Sequence, residues 1–168
     1  MRLGAHRGYT DASPVDVLIH PGGAGKQLLM EDMDYLHWLV ETAETASIIS
    51  SVCTGAHVLA AGGLIADRVV TSHWQHLDSL QRIEPSSVVR GDRRVVDCGG
   101  LVTAAGVSAG IDLGLYLVSR LAGVSRAETV REAIQYEHPL IQAASACVEL
   151  PVGEKSTAAV TMRPKGGR

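Results

Sequence analysis

Phenylalanine is absent from this 168-residue chain, and aromatic residues of every kind make up only 4%. A core of stacked rings is therefore excluded, and the interior has to be built from Val, Leu, Ile and Ala. Cysteine is scarce as well: Cys53, Cys98 and Cys147 are an odd number with no C-x-x-C pair. That argues against a disulfide framework and against a metal site of the zinc kind, and a cytoplasmic location is expected. There is no basic excess. The net charge of −3 leaves no broad positive footprint, so no nucleic-acid partner is expected. The N-terminal stretch from Met1 to Arg7 has no apolar run of the signal-peptide type. Residues 46–66 are apolar, but Ser50, Ser51, Thr54, His57 and the glycines among them suit a buried strand–turn–helix better than a membrane span.

Glycine, by contrast, is plentiful, with 18 residues available for tight turns. At 46% hydrophobic and 20% charged, the chain reads as one globular domain. Its focus is Ile48-Ile49-Ser50-Ser51-Val52-Cys53-Thr54-Gly55-Ala56-His57. A β-branched run stops at a cysteine, a small-residue turn follows, and an alanine-rich helical segment runs to Gly62-Gly63. Strand, sharp turn and helix lift a nucleophile off a sheet edge, with its sulfur at a helix N-terminus that favours the thiolate. Cys53 is read as the reactive centre, against the plainer alternative of a buried structural thiol.

Residues 16–20 read as a short buried strand entering the loop Pro21-Gly22-Gly23-Ala24-Gly25. The loop lacks the GxxxxGK[ST] phosphate-binding pattern, since Lys26 directly follows Gly25. Gly22 or Gly23 is expected to turn an N–H toward Cys53. Residues 31–45 carry apolar side chains at helical spacing, with Glu31, Asp32 and Asp34 in the first turn. Residues 69–71 read as a strand leading to Ser72-His73-Trp74, and 76–83 as a short helix. Residues 87–90 and 94–98 read as a hairpin, 101–103 as a strand, and 111–121 as a long helix stopped by Gly123. Ser125, with Glu128 three residues on, predicts a capped helix to about Tyr136. Residues 1–14 are expected to be irregular, 15–138 to form the domain and 139–168 to be an irregular tail. Strands alternating with helices imply a mostly parallel sheet covered on both faces.

A thiolate nucleophile needs N–H donors for developing negative charge and a group to handle protons. Thr54 offers the N–H that follows an elbow nucleophile, and its hydroxyl; Gly22 or Gly23 offers a second N–H. His73, at the end of the next strand, is the leading proton partner and His57 the second, with ordinary packing the alternative for each. Trp74 is expected to wall a small apolar pocket or simply to pack. Asp97 and Asp112 are possible acids, Asp112 reading better as a first-turn helix acid. Cys98 and Cys147 read as structural.

Pro21-Gly22-Gly23-Ala24-Gly25, Ser51-Val52-Cys53-Thr54-Gly55-Ala56, Gly63-Leu64, Thr71-Ser72-His73-Trp74 and Gly106-Val107-Ser108-Ala109-Gly110-Ile111-Asp112 succeed one another here as they do in the DJ-1/PfpI superfamily, a glutamine amidotransferase-like group. Within it the chain is most similar to isonitrile hydratases and to the sensor domains of AraC-type regulators. The resemblance covers about residues 15–136. It implies a flavodoxin-like three-layer α/β sandwich, usually a homodimer, acting on a small-molecule substrate. It also implies Cys53 as nucleophile, Thr54 as its neighbour, His73 near the cysteine, and hydration of an isonitrile to an N-substituted formamide without a cofactor. The alternatives are a non-catalytic ligand sensor and a DJ-1-like stress-response hydrolase. Thr54, where the proteases carry His, weighs against a protease. Family members carry a strand, a turn with an acidic residue and a helix ahead of the Pro-Gly-Gly loop. The residues before Val15 show no such pattern, so the sheet is expected to lack that first strand and helix, and the cysteine its carboxylate.

Overall fold

Short runs rich in Val and Ile supply the strands, and the alanine- and leucine-rich segments between them supply the helices. The computed structural model describes residues 4–6, 8–11 and 14–140. In chain order it contains β1 (Val17–His20), α1 (Lys26–Glu31), α2 (Met33–Thr45), β2 (Ile48–Val52), α3 (Gly55–Ala61), β3 (Val69–Val70) and a 3-10 turn (Trp74–His76). There follow α4 (Leu77–Ile83), β4 (Val88–Val89), β5 (Val95–Cys98), β6 (Leu101–Ala104), α5 (Ala109–Ala122) and α6 (Val124–Ala133). The main sheet has the order β1-β2-β6-β5. Its first three strands are parallel and β5 runs antiparallel to β6. β3 and β4 form a separate parallel pair.

Successive side chains of a strand face opposite sides of the sheet, and the core divides accordingly. Ile49 and Leu101 pack with Leu36, Leu39, Leu59 and Leu80 from α2, α3 and α4. Ile48, Val95 and Val102 pack with Ala109, Leu113 and Leu117 of α5. Helices on both faces of a mostly parallel sheet make the flavodoxin-like sandwich. β1 is the open edge of the sheet, with Ile19 49% exposed. The register of β1 on β2, from Val17 opposite Ile48 to His20 opposite Ser51, ends both strands at one rim. The loop after β1 and the turn after β2 therefore meet there.

Three expectations from the sequence are corrected. The 31–45 helix is interrupted at Asp32, which is extended (φ −88°) and accepts the Tyr35 N–H on Oδ1 (3.0 Å), capping α2. The residues before it form the separate helix α1. The hairpin between 87–90 and 94–98 does not form, because β4 pairs with β3. It is β5 that turns back, through Gly99-Gly100 onto β6, with Gly99 at φ +78° donating its N–H to Asp97 Oδ1 (2.7 Å). Ser125 is not a cap: Gly123 (φ +88°) ends α5 and starts α6 with no intervening loop, which leaves Ser125 inside the helix. Within the irregular N-terminal segment, Tyr9–Asp11 form a 3-10 turn whose Tyr9 ring lies 5.2 Å from those of Tyr35 and Trp38. Residues 141–168, Cys147 among them, lie outside the described residues.

Leu59 is fully buried on the helix that follows the cysteine. Leu59→Ala is expected to lower the unfolding free energy by about 2–5 kcal/mol, read as a shifted urea midpoint at an unchanged m value.

Candidate functional site

Cys53 sits immediately after β2 at φ +59°, a backbone region that a non-glycine residue occupies only when its surroundings compel it. The surroundings are explicit. The Cys53 N–H donates to the Ala105 and Ala104 carbonyls (2.8 and 3.0 Å), and the Ser72 hydroxyl donates to the Cys53 carbonyl (2.8 Å). The ends of β6 and β3 thus hold the turn from two sides. The thiol is partly exposed, and Cys53 is a free cysteine.

The Pro-Gly-Gly loop closes over this turn at backbone distance. A Cβ on Gly22 would stand 2.7 Å from the Thr54 nitrogen and 2.9 Å from the Cys53 Cβ, and one on Gly55 would collide with the His20 carbonyl oxygen. The Gly23 N–H donates to Thr54 Oγ1 (3.0 Å). That N–H is spoken for, so the Gly22 and Thr54 amides remain as donors toward a group on the sulfur. The loop's entry is anchored by buried His20, whose Nδ1–H donates to the Pro21 carbonyl (2.8 Å) while Nε2 accepts from the Tyr35 hydroxyl (3.0 Å).

His73 follows β3 on the same rim. Its Nδ1 accepts the Gln75 N–H (3.2 Å), which leaves the neutral ring's proton on Nε2, and the ring edge abuts Gly106. Trp74 does not pack: it is 70% exposed and stacks on His73. Together with Ser72, Arg94, Gly106, Val107 and Ile111, these two residues line an open pocket of about 720 Å³ beside the elbow. The structure therefore brings Cys53, Thr54, Gly22 and Gly23 into one contact group. His73 and Trp74 border it through Ser72 and Ala105.

His57 is buried one turn into α3. Ser79 donates to the His76 carbonyl (2.8 Å), so it accepts from His57 Nε2 (2.8 Å), while His57 Nδ1 is buried without a hydrogen-bond partner. Burial above all, with the Lys26 and His76 charges, depresses the His57 pKa to about 4. Two buried carboxylates serve the scaffold instead. Asp112 binds Arg94 and the Tyr136 hydroxyl; Asp97 binds Tyr116, Arg120 (2.9 Å) and the Gly99 N–H. Asp16 precedes β1, at the opposite end of the strand from this rim. The residue that sequence reasoning left unassigned is Lys26, first residue of α1 and partly buried. Burial lowers its amine pKa, and electrostatic interaction with Cys53 opposes that. Only its place directly after the glycine loop signalled it. Among the described residues no group of three or more His, Cys, Asp or Glu side chains is placed to hold a metal ion. No helix among them is long and apolar enough to cross a membrane.

An open, mostly parallel sheet thus presents a cysteine on a strained strand–helix elbow beneath a glycine loop, at the carboxyl ends of its parallel strands where open α/β sheets bind ligands. The DJ-1/PfpI family model matches residues 5–120, and the chain belongs to that family. It is 39% identical over 128 residues to the isonitrile hydratase of Pseudomonas putida, covering 76% of this chain and 55% of that protein. It is 33% identical over 97 residues to the HTH-type transcriptional regulator CdhR of Pseudomonas aeruginosa, covering 58% of this chain and 29% of the regulator. The chain thus spans about half the hydratase and less of the regulator. Among solved structures, a ThiJ/PfpI family protein from Pseudomonas syringae superposes with a TM-score of 0.71 at 31% identity, over 82% of this chain and 57% of that one. Drosophila melanogaster DJ-1beta shares the fold with a TM-score of 0.66 at 23% identity, over 77% of this chain and 68% of that one.

A histidine held neutral by burial stabilises the fold only while it stays neutral. The stabilisation is complete above the ordinary imidazole value of about 6.5 and is lost as pH falls toward the folded value of about 4. The melting temperature is expected to drop across that window, and less so in His57→Gln, when both are followed by thermal unfolding from pH 7 to pH 4.

Proposed function

We propose that the chain is the core of a cysteine-dependent hydratase that converts an isonitrile to an N-substituted formamide. The observation that carries this reading is the Cys53 elbow, strained at φ +59° and roofed by Gly22 at van der Waals contact. The similarity to an isonitrile hydratase supports it. The Cys53 thiolate attacks the terminal carbon of the isonitrile. The carbon takes up a proton, which gives a thioimidate joined to sulfur. Water then adds to that carbon and the C–S bond breaks, returning the thiolate and releasing the formamide. Isonitrile and one water are consumed, and no electron is gained or lost. In this reading the amides of Gly22 and Thr54 stabilise the negative charge that develops, the Thr54 hydroxyl, hydrogen-bonded to Gly23, holds the loop against the elbow, and His73, with its proton on Nε2, is the donor on the pocket side. Trp74, Val107 and Ile111 give the pocket an apolar wall for the substituent on nitrogen. A homodimer is part of this reading.

The similarity to CdhR favours one second reading, a ligand-sensing domain in which the same pocket binds without turnover. The two part company at the sulfur. Purified protein incubated with an alkyl isonitrile is expected to deplete the N≡C infrared stretch and accumulate formamide. Cys53→Ala is expected to abolish this, and Thr54→Val to slow it about 10²-fold or more, with Thr54→Ser restoring much of the rate. A ligand-induced rise in melting temperature with no formamide at any enzyme concentration would replace the hydratase with the sensor.

A further inference from the structure

Of the residues that line the pocket beside the elbow, Arg94 carries the one permanent charge, and none is acidic. Its guanidinium is held from behind. Nε donates to Asp112 Oδ2 (2.7 Å), and Nη2 donates to the same oxygen and to Ser108 Oγ (3.2 Å). The Tyr136 hydroxyl, which donates to the other Asp112 oxygen, adjoins the guanidinium on that side. These hydrogen bonds leave from Nε and Nη2, and the N–H groups of Nη1 stand outside them. The Asp112 side chain is 1% exposed and that of Arg94 41%, so the carboxylate lies in the interior while the arginine reaches the pocket. The other acid next to a lining residue in sequence, Asp92 beside Gly91, is taken by Arg90 (2.8 and 2.7 Å), with Arg93 at 3.5 Å. Ser108 Oγ accepts from Arg94 and keeps its own proton to donate. His73 adds the N–H of Nε2. The pocket therefore offers donors and lacks an acceptor.

Arg94 is also tied to the elbow through the backbone. The Ala105 N–H donates to the Arg94 carbonyl, and the Ala105 carbonyl accepts from the Cys53 N–H (2.8 Å each). Neighbouring strands lie about 4.8 Å apart, so two such steps put the Arg94 and Cys53 backbones about 10 Å apart, on either side of Ala105. A small molecule covers that span. We infer that Arg94 is a binding residue and that the pocket takes a small molecule carrying a carboxylate. Nη1 and the Ser108 hydroxyl are the donors to the carboxylate, and an arginine fixed in place by a buried acid meets that planar group without having to be ordered first. The body of the molecule lies against Trp74, Val107 and Ile111. This deepens the hydratase reading and rests on it for the reacting end alone: the substrate becomes an isonitrile whose substituent on nitrogen ends in a carboxylate. A sensor would hold the same anion without turnover.

The test compares two isosteric isonitriles, 4-isocyanobutanoate and its neutral amide, 4-isocyanobutanamide. Their dissociation constants are measured by calorimetry on Cys53→Ala, which lacks the nucleophile, and the ratio of the two is the readout. The acid is expected to bind about tenfold or more tightly than the amide, and raising KCl to about 0.5 M is expected to cut that advantage severalfold. Adding Arg94→Met is expected to bring the ratio close to one. Because Arg94→Met alone leaves the Asp112 charge buried without its partner, Arg94→Met with Asp112→Asn, which removes both charges, is measured beside it with the same expectation. Equal binding of acid and amide to Cys53→Ala overturns the proposal, as does a ratio indifferent to salt; neither measurement needs a change at Arg94. A preference for the acid that survives in either Arg94 variant also overturns it, since the carboxylate then sits on another donor. Formamide made equally well from both compounds by the unmodified protein, with equal binding, ends this proposal and keeps the hydratase. Preferred binding of the acid with no formamide from either compound leaves Arg94 in place and removes only the hydratase reading.

Discussion

Everything at the Cys53 rim depends on two places where a side chain cannot exist. β1 and β2 lie in register and end together, so the loop leaving one and the turn leaving the other compete for the same space. They share it because Gly22 lies against the Thr54 amide and the Cys53 Cβ, and Gly55 against the His20 carbonyl, at distances that no Cβ tolerates. This close approach forces Cys53 into its left-handed backbone state. Such a state costs on the order of 1–3 kcal/mol. The bonds from Cys53 to Ala104 and Ala105, and from Ser72 to the Cys53 carbonyl, are of the right number to offset it at about 1 kcal/mol each. The thiol is therefore placed by backbone contacts, and its own contacts stay available for chemistry.

The parts of this arrangement written in local sequence were legible. A β-branched run stopped by Cys-Thr-Gly-Ala reads as an elbow because strand and helix propensities change over three residues. Pro-Gly-Gly at the end of a buried strand reads as a loop that approaches other backbone. The layers follow from strands alternating with helices. What failed had its cause in distant partners. The hairpin was misplaced because Val88-Val89 and Arg94–Cys98 alternate equally well, and only the neighbouring β3 decides that Val88-Val89 leaves the main sheet. Ser125 and Glu128 satisfy a capping pattern that Gly123 pre-empts by turning α5 directly into α6. Asp97 reads as a possible acid in sequence, but Arg120 and Tyr116 of α5 bind it. Lys26 carried no signal beyond its position, since a lysine after a glycine loop is most often a solvated charge.

Paired charges and unsatisfied polar groups occupy different parts of the fold. On the α5 side, carboxylates are buried and fully bonded, with Asp112 tying Arg94 to Tyr136 and Asp97 tying Arg120 to the β5–β6 turn. Removing one partner of such a set leaves an uncompensated charge in the interior, so these groups fix the geometry of the β5–β6 hairpin and α5 rather than react. Unsatisfied polar atoms are found under both layers: His57 Nδ1 and the Ser51 hydroxyl on the α3 side, which Ile49 shares, and the Ser50 hydroxyl on the α5 side with Ile48 and Val52 are buried without hydrogen-bond partners. These three groups lie within four residues of Cys53 in the chain, and buried polar groups left unsatisfied so close to one residue are the pattern expected where a fold gives up stability to keep a site responsive.

The pocket is what the catalytic and the sensing readings share, and the sulfur is where they differ. At about 720 Å³, lined by apolar Trp74, Val107 and Ile111 and by polar Arg94 and Ser108, it suits a small molecule with an apolar body and one polar end. Such a ligand would be held equally well by an enzyme or a receptor. A receptor, however, gains nothing from a cysteine kept at φ +59° beneath a backbone roof, because binding in this pocket needs neither the strain nor the partly exposed thiol. In the hydratase reading that strain has a use: it fixes the one direction from which the sulfur meets an atom of the ligand.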